Sequence, residues 1–527
     1  MRKVLIANRG EIAVRIIRAC RDLGLPTVAV YSECDRTARH VRMADEAVAI
    51  GPNPATDSYL RIDAILEAAR ATGADAIHPG YGFLAENEDF AAACRQATLT
   101  FIGPSPEAIT LMGSKTTARR TAIAAGVPVV PGTEDSLPLD TPHDLIVRAA
   151  ESIGYPIMIK AVAGGGGKGM RLVEKAGDLA SAVRAARSEA SAAFGDAAIY
   201  LERRLVRPRH VEVQLLADHH GRVLPFVERE CSVQRRHQKV IEETPSPAVT
   251  PPVRARLAEA AAAVARSAGY TNAGTIEFLL DDDGAFYFLE MNTRIQVEHP
   301  ITEMVTGVDL VQWQIRIARG EPLTLSSERL LAPLGHAIEC RVYAEDPDVG
   351  FLPSPGKIAT LRTPAGPGIR DDGWVEAGTE VTTFYDSLLS KLIAWGTDRA
   401  EAIARMRRAL LEYEVIGVRT TVPFFHWMLQ QPAFLDGRIH TSFLDELLQQ
   451  RPGGFSDDID VSLAEVAAVA ACLARMTSAG RADASPTHGS ATNRPFASPR
   501  SLRAGTTETP SWADSWKRQG RLEGLRE

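Results

Sequence analysis

Residues 275–300 read TIEFLLDDDGAFYFLEMNTRIQVEHP, two apolar runs separated by an acidic stretch that ends in Asp283-Gly284. An Asp-Gly pair between such runs is a strong signal for a β-hairpin closed by a two-residue turn. With Asp283 and Gly284 at the centre of the turn, Asp282 pairs with Ala285 and Glu277 falls directly opposite Glu290. Carboxylates that face each other across strands repel, and a hard divalent ion with oxygen ligands relieves that repulsion. A solvated acidic face is the bland alternative, but Glu277 sits inside the apolar run IEFLL, which favours the metal. Side chains alternate along a strand, so Glu290, Asn292, Arg294, Gln296 and Glu298 are expected on one face, with Ile295 and Val297 turned the other way. A row of that kind ending at His299-Pro300 reads as a site floor: metal ligands first, then anion-holding groups, then a base. An exposed edge strand would alternate in the same way, though rarely with so few Lys and Thr.

Upstream, the strand PIMIKAV leads into AGGGGKGMR at 163–171. Consecutive glycines let backbone N–H groups approach phosphate oxygens and let a loop move. The run is not GxxxxGK[ST], so it is not a Walker loop, and alone it is as well read as an ordinary flexible loop. Lys160 tips the balance, because a lysine at the end of an apolar strand is costly to bury unless it meets an anion. Lys115, in GSKTTAR at a helix start, is either a second phosphate-binding cation or a surface lysine. His210, Glu212 and Gln214 share one face of a strand in LERRLVRPRHVEVQLLAD, and Gln234, Arg235, Arg236, His237 and Lys239 crowd VERECSVQRRHQKVIEETP. Such basic density is usually a solvated face; beside a carboxylate floor it suits phosphates and a small anion.

At the N-terminus, KVLIA (3–7) reads as a buried strand and Glu11 to Leu23 as a helix stopped by Gly24. The alternation of strands and helices through FIGPSPEAI points to a doubly wound parallel sheet. A GxGxxG fingerprint is missing after the first strand, which removes the main support for a dehydrogenase. Short strands and the helix DRAEAIARMRRALLEYEV make a third α+β segment from about Leu331 to Gln450. VSLAEVAAVAACLARM reads as one helix, and Ser478 to Ser511, rich in Ser, Thr, Ala, Pro and Arg, reads as disordered. The chain has 527 residues and a net charge of −7, so several domains are expected and nucleic acid is an unfavoured partner. Its six cysteines form no CxxC pair, no apolar stretch approaches a membrane span, and the N-terminus lacks a signal peptide, so a cytoplasmic protein with reduced thiols is expected.

These motifs together resemble the ATP-grasp superfamily and, within it, the biotin carboxylases. The matching strings are ANRGEIAVRIIRA, IHPGYGFLAEN, GSKTTAR, MIKAVAGGGGKGMR, ERECSVQRRHQKVIEE, EMNTRIQVEHP, AEDPDVGFLPSPG and YDSLLSKLIAWG, which span most of residues 2–446 in the family's order. The resemblance implies an N-terminal doubly wound parallel sheet (1–112), a central ATP-grasp domain (113–330) with a mobile glycine-rich lid over about 131–204, a C-terminal α+β domain (331–450) and a tail (451–527). It implies ATP held by Lys115, Lys160, Gly165 and Gly166, with Glu202, Arg203, Arg204 and Leu205 beside the adenine. His210, Gln234 and His237 would surround ribose and phosphates, and Glu277, Glu290 and Asn292 would hold Mg2+ or Mn2+. Bicarbonate would sit among Lys239, Arg294, Gln296 and the backbone of Val297, with Glu298 as base. Arg341 would face the biotin enolate oxygen, with Tyr81 near the ring. Arg204 stands where family members more often carry an aromatic residue.

By the same resemblance the substrate is biotin on a separate biotin carboxyl carrier protein, since the chain lacks a Met-Lys-Met-like attachment site and a carboxyltransferase domain. A carboxyltransferase on another chain and a homodimer are further expectations. Acetyl-CoA carboxylase is the first choice for the whole enzyme, with other acyl-CoA carboxylases and a split pyruvate carboxylase as alternatives. An ATP-grasp ligase for an amino acid or purine precursor would not need RIQVEHP together with QRRHQKV. A silent ATP-binding regulatory subunit would be expected to have lost Lys239, Glu298 or Arg341, and all three are present.

Overall fold

The computed structural model describes residues 1–133, 135–162, 169–451, 453–455 and 470–472. Gly165, Gly166, most of the helix expected at 461–476 and the tail expected to be disordered lie outside the described residues. Contacts divide the chain into a unit at Met1–Pro452 and a second at Gly453–Glu527. Of the second unit, residues 470–472 are helical.

The N-terminal sheet is parallel and five-stranded, in the order Glu46–Gly51, Thr27–Ser32, Val4–Ile6, Ala76–His78, Thr100–Phe101. Its first strand is apolar at every position because both faces are covered. Val4 and Ile6 enter one core with Ile12 and Ile16 of the helix Gly10–Asp22, while Leu5 enters another with Val28, Val30 and Ile65. That helix buries its apolar stripe and ends where Gly24 takes a left-handed φ of 68°. Just beyond the strand Val4–Ile6 stands Arg9. Its guanidinium pairs with Asp35 at 2.5 Å and lies between the rings of Trp374 and Tyr385, 4.8 and 4.4 Å from their centroids.

The central element is an antiparallel eight-stranded sheet in the order Phe286–Asn292, Asn272–Leu280, Arg209–Ala217, Val223–Arg235, Gln238–Thr244, His336–Tyr343, Leu388–Gly396, Ile369–Gly373. Its last three strands come from the segment expected to form a separate C-terminal unit. The strand Gln238–Thr244 would otherwise be an unpaired edge; instead His336–Tyr343 pairs with it, through Ile241↔Cys340 to Thr244↔Ala337. The boundary near residue 331 is therefore crossed by a continuous ladder. Helix Pro251–Ser267 covers one face, packing Leu257, Ala261 and Val264 against Val211, Val213, Ile276 and Phe278.

Above this sheet stands a small one of three strands, Arg171–Val173, Ile157–Ala161 and Ile199–Arg203, backed by helices His143–Ile153 and Leu179–Phe194. Ile146, Ile157, Ile159, Val173, Leu179, Ile199 and Leu201 form a core of its own. This module falls within the span expected for the lid.

Candidate active site

The hairpin that decides the fold is present with one change. Asp281, not Asp282, bonds to Ala285 across the turn, and Gly284 takes the left-handed position at φ 79°, so the loop is one residue longer than a two-residue turn. A bulge opposite the Glu277–Phe278 step then absorbs the offset, and Glu277 pairs directly with Glu290. The strand stops at Asn292 rather than running on to Glu298. Thr293 turns its backbone N–H to Glu86 Oε1 (3.0 Å), and Gln296 O accepts from His299 Nδ1 (2.8 Å). Arg294, Gln296 and Glu298 reach the same cleft through a turn instead of a pleat, while Ile295 faces the core and Val297 joins the lining.

The cleft between the small sheet and the large one has a volume of about 610 Å³. From the large sheet it is lined by His210, Gln234, His237, Lys239, Glu277, Glu290 and Asn292, and from the turn by Arg294, Gln296, Val297 and Glu298. Arg341 closes one end, and Glu202, Arg203, Arg204 and Leu205 line the other with Thr441 and Asp445. Lys160 points in from the small sheet, and Lys115 enters near Glu290 from the N-terminus of helix Lys115–Ala124, which packs on the large sheet through Ala118 and Ala122. Tyr81 is not part of this lining; its hydroxyl donates to Glu11 Oε1.

At the centre is Lys239, whose Nζ donates to Glu212 (2.6 Å), Glu277 (2.9 Å) and Glu298 (2.8 Å). Burial alone would lower its pKa, but the three carboxylates outweigh it and hold the ammonium well above the usual lysine range. Burial opposes ionisation of Glu298 as well, and Lys239, Arg341 and Arg229 overcome it to keep the carboxyl well below its usual value. Arg341 donates Nη2 to Glu298 (2.9 Å) and Nε to Glu242 (2.6 Å). Burial, then the residual repulsion of Glu298 against the pull of Arg341, leaves Glu242 raised to about 7. Arg294 is anchored by Glu86 through Nε (2.8 Å) and by Asn292 Oδ1 through Nη2 (3.0 Å).

The two facing acids behave differently. Burial pushes Glu277 up, but Lys239 and His210 hold it well below the carboxylate range. Glu290 is raised by burial and by Glu277, against a weaker pull from Lys115. A divalent cation between them would remove that conflict, and oxygen donors from Glu277 and Glu290 suit Mg2+ or Mn2+. Asn292 sits beside them, giving its Nδ2 to Glu277 at 2.9 Å. A second grouping of ligand atoms, His210, Glu212 and Glu277, is already neutralised by the Lys239 ammonium among the same carboxylates. His210 Nε2 stands 3.0 Å from a Glu277 carboxylate oxygen, and its Nδ1 lies 3.0 Å from Gln234 Nε2. Arg236 and His237 form the turn between two sheet strands with φ of 50° and 68°. A turn that normally takes Asn-Gly holds two bulky side chains, and strain of this kind clusters at functional sites.

Several supporting residues escaped the sequence reading. Arg229 is fully buried and donates to Glu212 (2.5 Å), Gln214 (3.0 Å), Thr302 (3.0 Å) and Gln296 (2.6 Å). Glu86 and Glu242 hold Arg294 and Arg341. Of these, only Glu242, directly after Val240-Ile241, carried a signal like the one that singled out Lys160. Lys160 itself pairs with Glu202 at 2.5 Å, and Arg119 reaches the same carboxylate at 3.3 Å.

A cation from a small capping sheet, a second from a helix start, paired acids on the large sheet and a cleft between the sheets define an ATP-grasp ligase. Comparison with known proteins narrows this. The description "Biotin carboxylase, N-terminal domain" matches residues 1–109, "Carbamoyl-phosphate synthase L chain, ATP binding domain" matches 114–326, and "Biotin carboxylase C-terminal domain" matches 339–446. The chain is 53% identical over 445 residues to a biotin carboxylase of Nostoc sp., covering 84% of this chain and 99% of that one. It is 53% identical over 444 residues to a pyruvate carboxylase subunit of Methanothermobacter thermautotrophicus, covering 84% and 89%. Among solved structures, the biotin carboxylase domain dimer of Hydrogenobacter thermophilus 2-oxoglutarate carboxylase, in complex with MgADP, ADP and bicarbonate, has a TM-score of 0.81 at 47% identity, over 85% of this chain and 98% of that one. The chain belongs to the biotin carboxylase family, ATP-dependent ligases with a three-domain architecture. No helix among the described residues is long and apolar enough to cross a membrane.

Proposed function

We propose that the cleft carboxylates biotin borne on a carrier protein, using ATP and bicarbonate, as the first half-reaction of an acyl-CoA carboxylase. The single observation that carries this reading is the Lys239–Glu298–Arg341 chain of contacts beside the paired acids Glu277 and Glu290. In this scheme bicarbonate lies against Lys239, Arg294, Gln296 and the Val297 backbone. Glu298, held ionised, accepts its proton as the carbonate oxygen attacks the γ-phosphorus and ADP leaves, giving carboxyphosphate. As held in this structure Glu298 is a weak base; negative charge brought beside it by the substrate raises its affinity for the proton without any member of the network moving. Lys115 and Lys160 steady the phosphates in line. Glu277 and Glu290, with Asn292, would hold Mg2+ or Mn2+, which supplies charge neutralisation at the phosphates. Carboxyphosphate breaks down to CO2 and phosphate; the phosphate takes the N1 proton of biotin, and N1 bonds to CO2. Arg341 is a fixed cation for the enolate oxygen that develops at that moment. Gly165 and Gly166 complete the phosphate cradle in this reading, and Tyr81 borders the biotin ring.

The final acceptor we assign first is acetyl-CoA or another acyl-CoA, with a carboxyltransferase on another chain and a homodimeric carboxylase. A split pyruvate carboxylase is the second reading, favoured by the identity to the Methanothermobacter protein. ADP release measured with bicarbonate, with and without free biotin, tests the first step. Turnover that ignores biotin and instead requires an amino acid would overturn the assignment.

A further inference from the structure

The motifs ANRGEIAVRIIRA and YDSLLSKLIAWG contain two charged residues for which the reaction has no use, Glu11 and Lys391. Both are deeply buried, with side-chain exposures of 3% and 0%. Lys391 lies on the strand Leu388–Gly396 and Glu11 in the first turn of helix Gly10–Asp22. Lys391 Nζ stands 3.1 Å from Glu11 Oε2 and donates to the Val297 carbonyl at 2.9 Å. Neither side chain lines the cleft.

A buried lysine needs an anion; Glu11 is the carboxyl paired with it, raised by burial to about 7 against the pull of Lys391, and Asp372 and Glu339 also act on the ammonium. The bond to Val297 is a different matter, because it spends a charged donor on the backbone of an irregular turn. That turn joins the strand Phe286–Asn292 to the helix His299–Thr306 and has no ladder to hold it. Its neighbouring peptide is pinned by His299 at Gln296 O, and the Gln296 side chain by Arg229. Lys391 supplies the remaining anchor, on the peptide that joins Val297 to Glu298. Through Glu11, whose other oxygen accepts from Tyr81, the anchor extends to the N-terminal sheet.

We propose that Lys391 is a positioning residue for the bicarbonate turn, fixing Val297 and Glu298 from outside the cleft, with Glu11 holding Lys391 in place. The proposal rests on bicarbonate binding at Lys239, Arg294, Gln296 and Val297. A merely structural ion pair would be satisfied by any charge-balanced replacement; an anchor on Val297 would not.

The test uses the full chain and free biotin, with ADP release followed while bicarbonate and ATP are varied separately. Lys391→Met should lower the melting temperature and raise the KM for bicarbonate about tenfold, a loss of about 1.4 kcal/mol, with the KM for ATP within about twofold. The paired variant Glu11→Gln with Lys391→Met should recover most of the melting temperature and keep the raised bicarbonate KM. A paired variant with wild-type bicarbonate KM, or equal rises for ATP and bicarbonate, overturns the proposal. If neither variant folds, Glu11→Gln alone decides: a bicarbonate KM raised about threefold supports the anchor, and an unchanged value overturns it. Wild-type turnover that is indifferent to bicarbonate would instead refute the proposed reaction.

Discussion

The small upper sheet and the large lower sheet both present charge to the cleft, but they hold it differently. Lys160 of the upper sheet pairs with Glu202, which belongs to the same small sheet. Lys239 of the lower sheet meets three carboxylates, and two of those, Glu212 and Glu298, meet Arg229 and Arg341 in turn. The upper module also keeps its own hydrophobic core, so shifting it as a body leaves that core intact. The lower network is shared between strands far apart in sequence and cannot move one member alone. The difference separates tasks: a capping element whose cation is easily released to a nucleotide, and a floor whose geometry is set before substrate arrives.

The harshest way to break the contrast is Lys239→Met. Removing the shared cation leaves Glu212, Glu277 and Glu298 buried and mutually repelling, at a cost of about 3–5 kcal/mol. Calorimetry should show a large fall in melting temperature, and biotin-dependent ADP release should drop by about a thousandfold or more. A variant as stable as wild type would mean that the floor is not one network. Glu298→Gln is the next step down. It keeps the shape and the acceptor for Lys239 but cannot take a proton, so turnover should fall about 10²–10⁴-fold, while ATP binding by titration calorimetry stays within a few-fold. Retained turnover would remove Glu298 from the base role.

How much of this was legible beforehand follows the same division. The register of Glu277 against Glu290 could be read from the hairpin letters, yet it holds because two local departures cancel: a longer turn at Asp281–Ala285 and a bulge opposite the Glu277–Phe278 step. The run DDDG admits either turn, so only the packed strands decide. Strand alternation placed Arg294, Gln296 and Glu298 in the right cleft for the wrong local reason, since a turn replaces the strand after Asn292. The lysines at strand ends stood out because charge in an apolar run demands an explanation; by that rule Lys391, in LLSKLIAWG, was equally visible. Arg229 and Glu86 carried no such mark. Their partners, Gln296 and Arg294, are brought near only by tertiary folding, and a buried arginine on a strand has the same letters as a solvated one.

Lys160→Met sharpens the contrast from the other side. Glu202 keeps Arg119, so stability should fall by only about 1–2 kcal/mol, while the KM for ATP rises about tenfold and that for bicarbonate stays near wild type. A drop in melting temperature as large as that of Lys239→Met would show that the upper sheet is built like the floor.

The smallest effect on turnover is expected at the far end of the floor, from Glu242→Gln. Burial raises this carboxyl to about 7 from its usual value near 4.5, with Arg341 pulling down and Glu298 pushing up. The folded protein therefore binds a proton there that the unfolded chain releases, so this contribution to stability is complete below about pH 4.5 and is lost as pH rises through 7. Glutamine resembles the protonated acid and cannot ionise. At pH 5 the variant and wild type should melt alike, whereas at pH 8 the variant should gain on wild type, by at most about 3 kcal/mol. If the gap between the two melting curves is the same at both pH values, Glu242 ionises in the folded protein as it does in the unfolded chain, and Arg341 has a full anionic partner rather than a shared proton behind it.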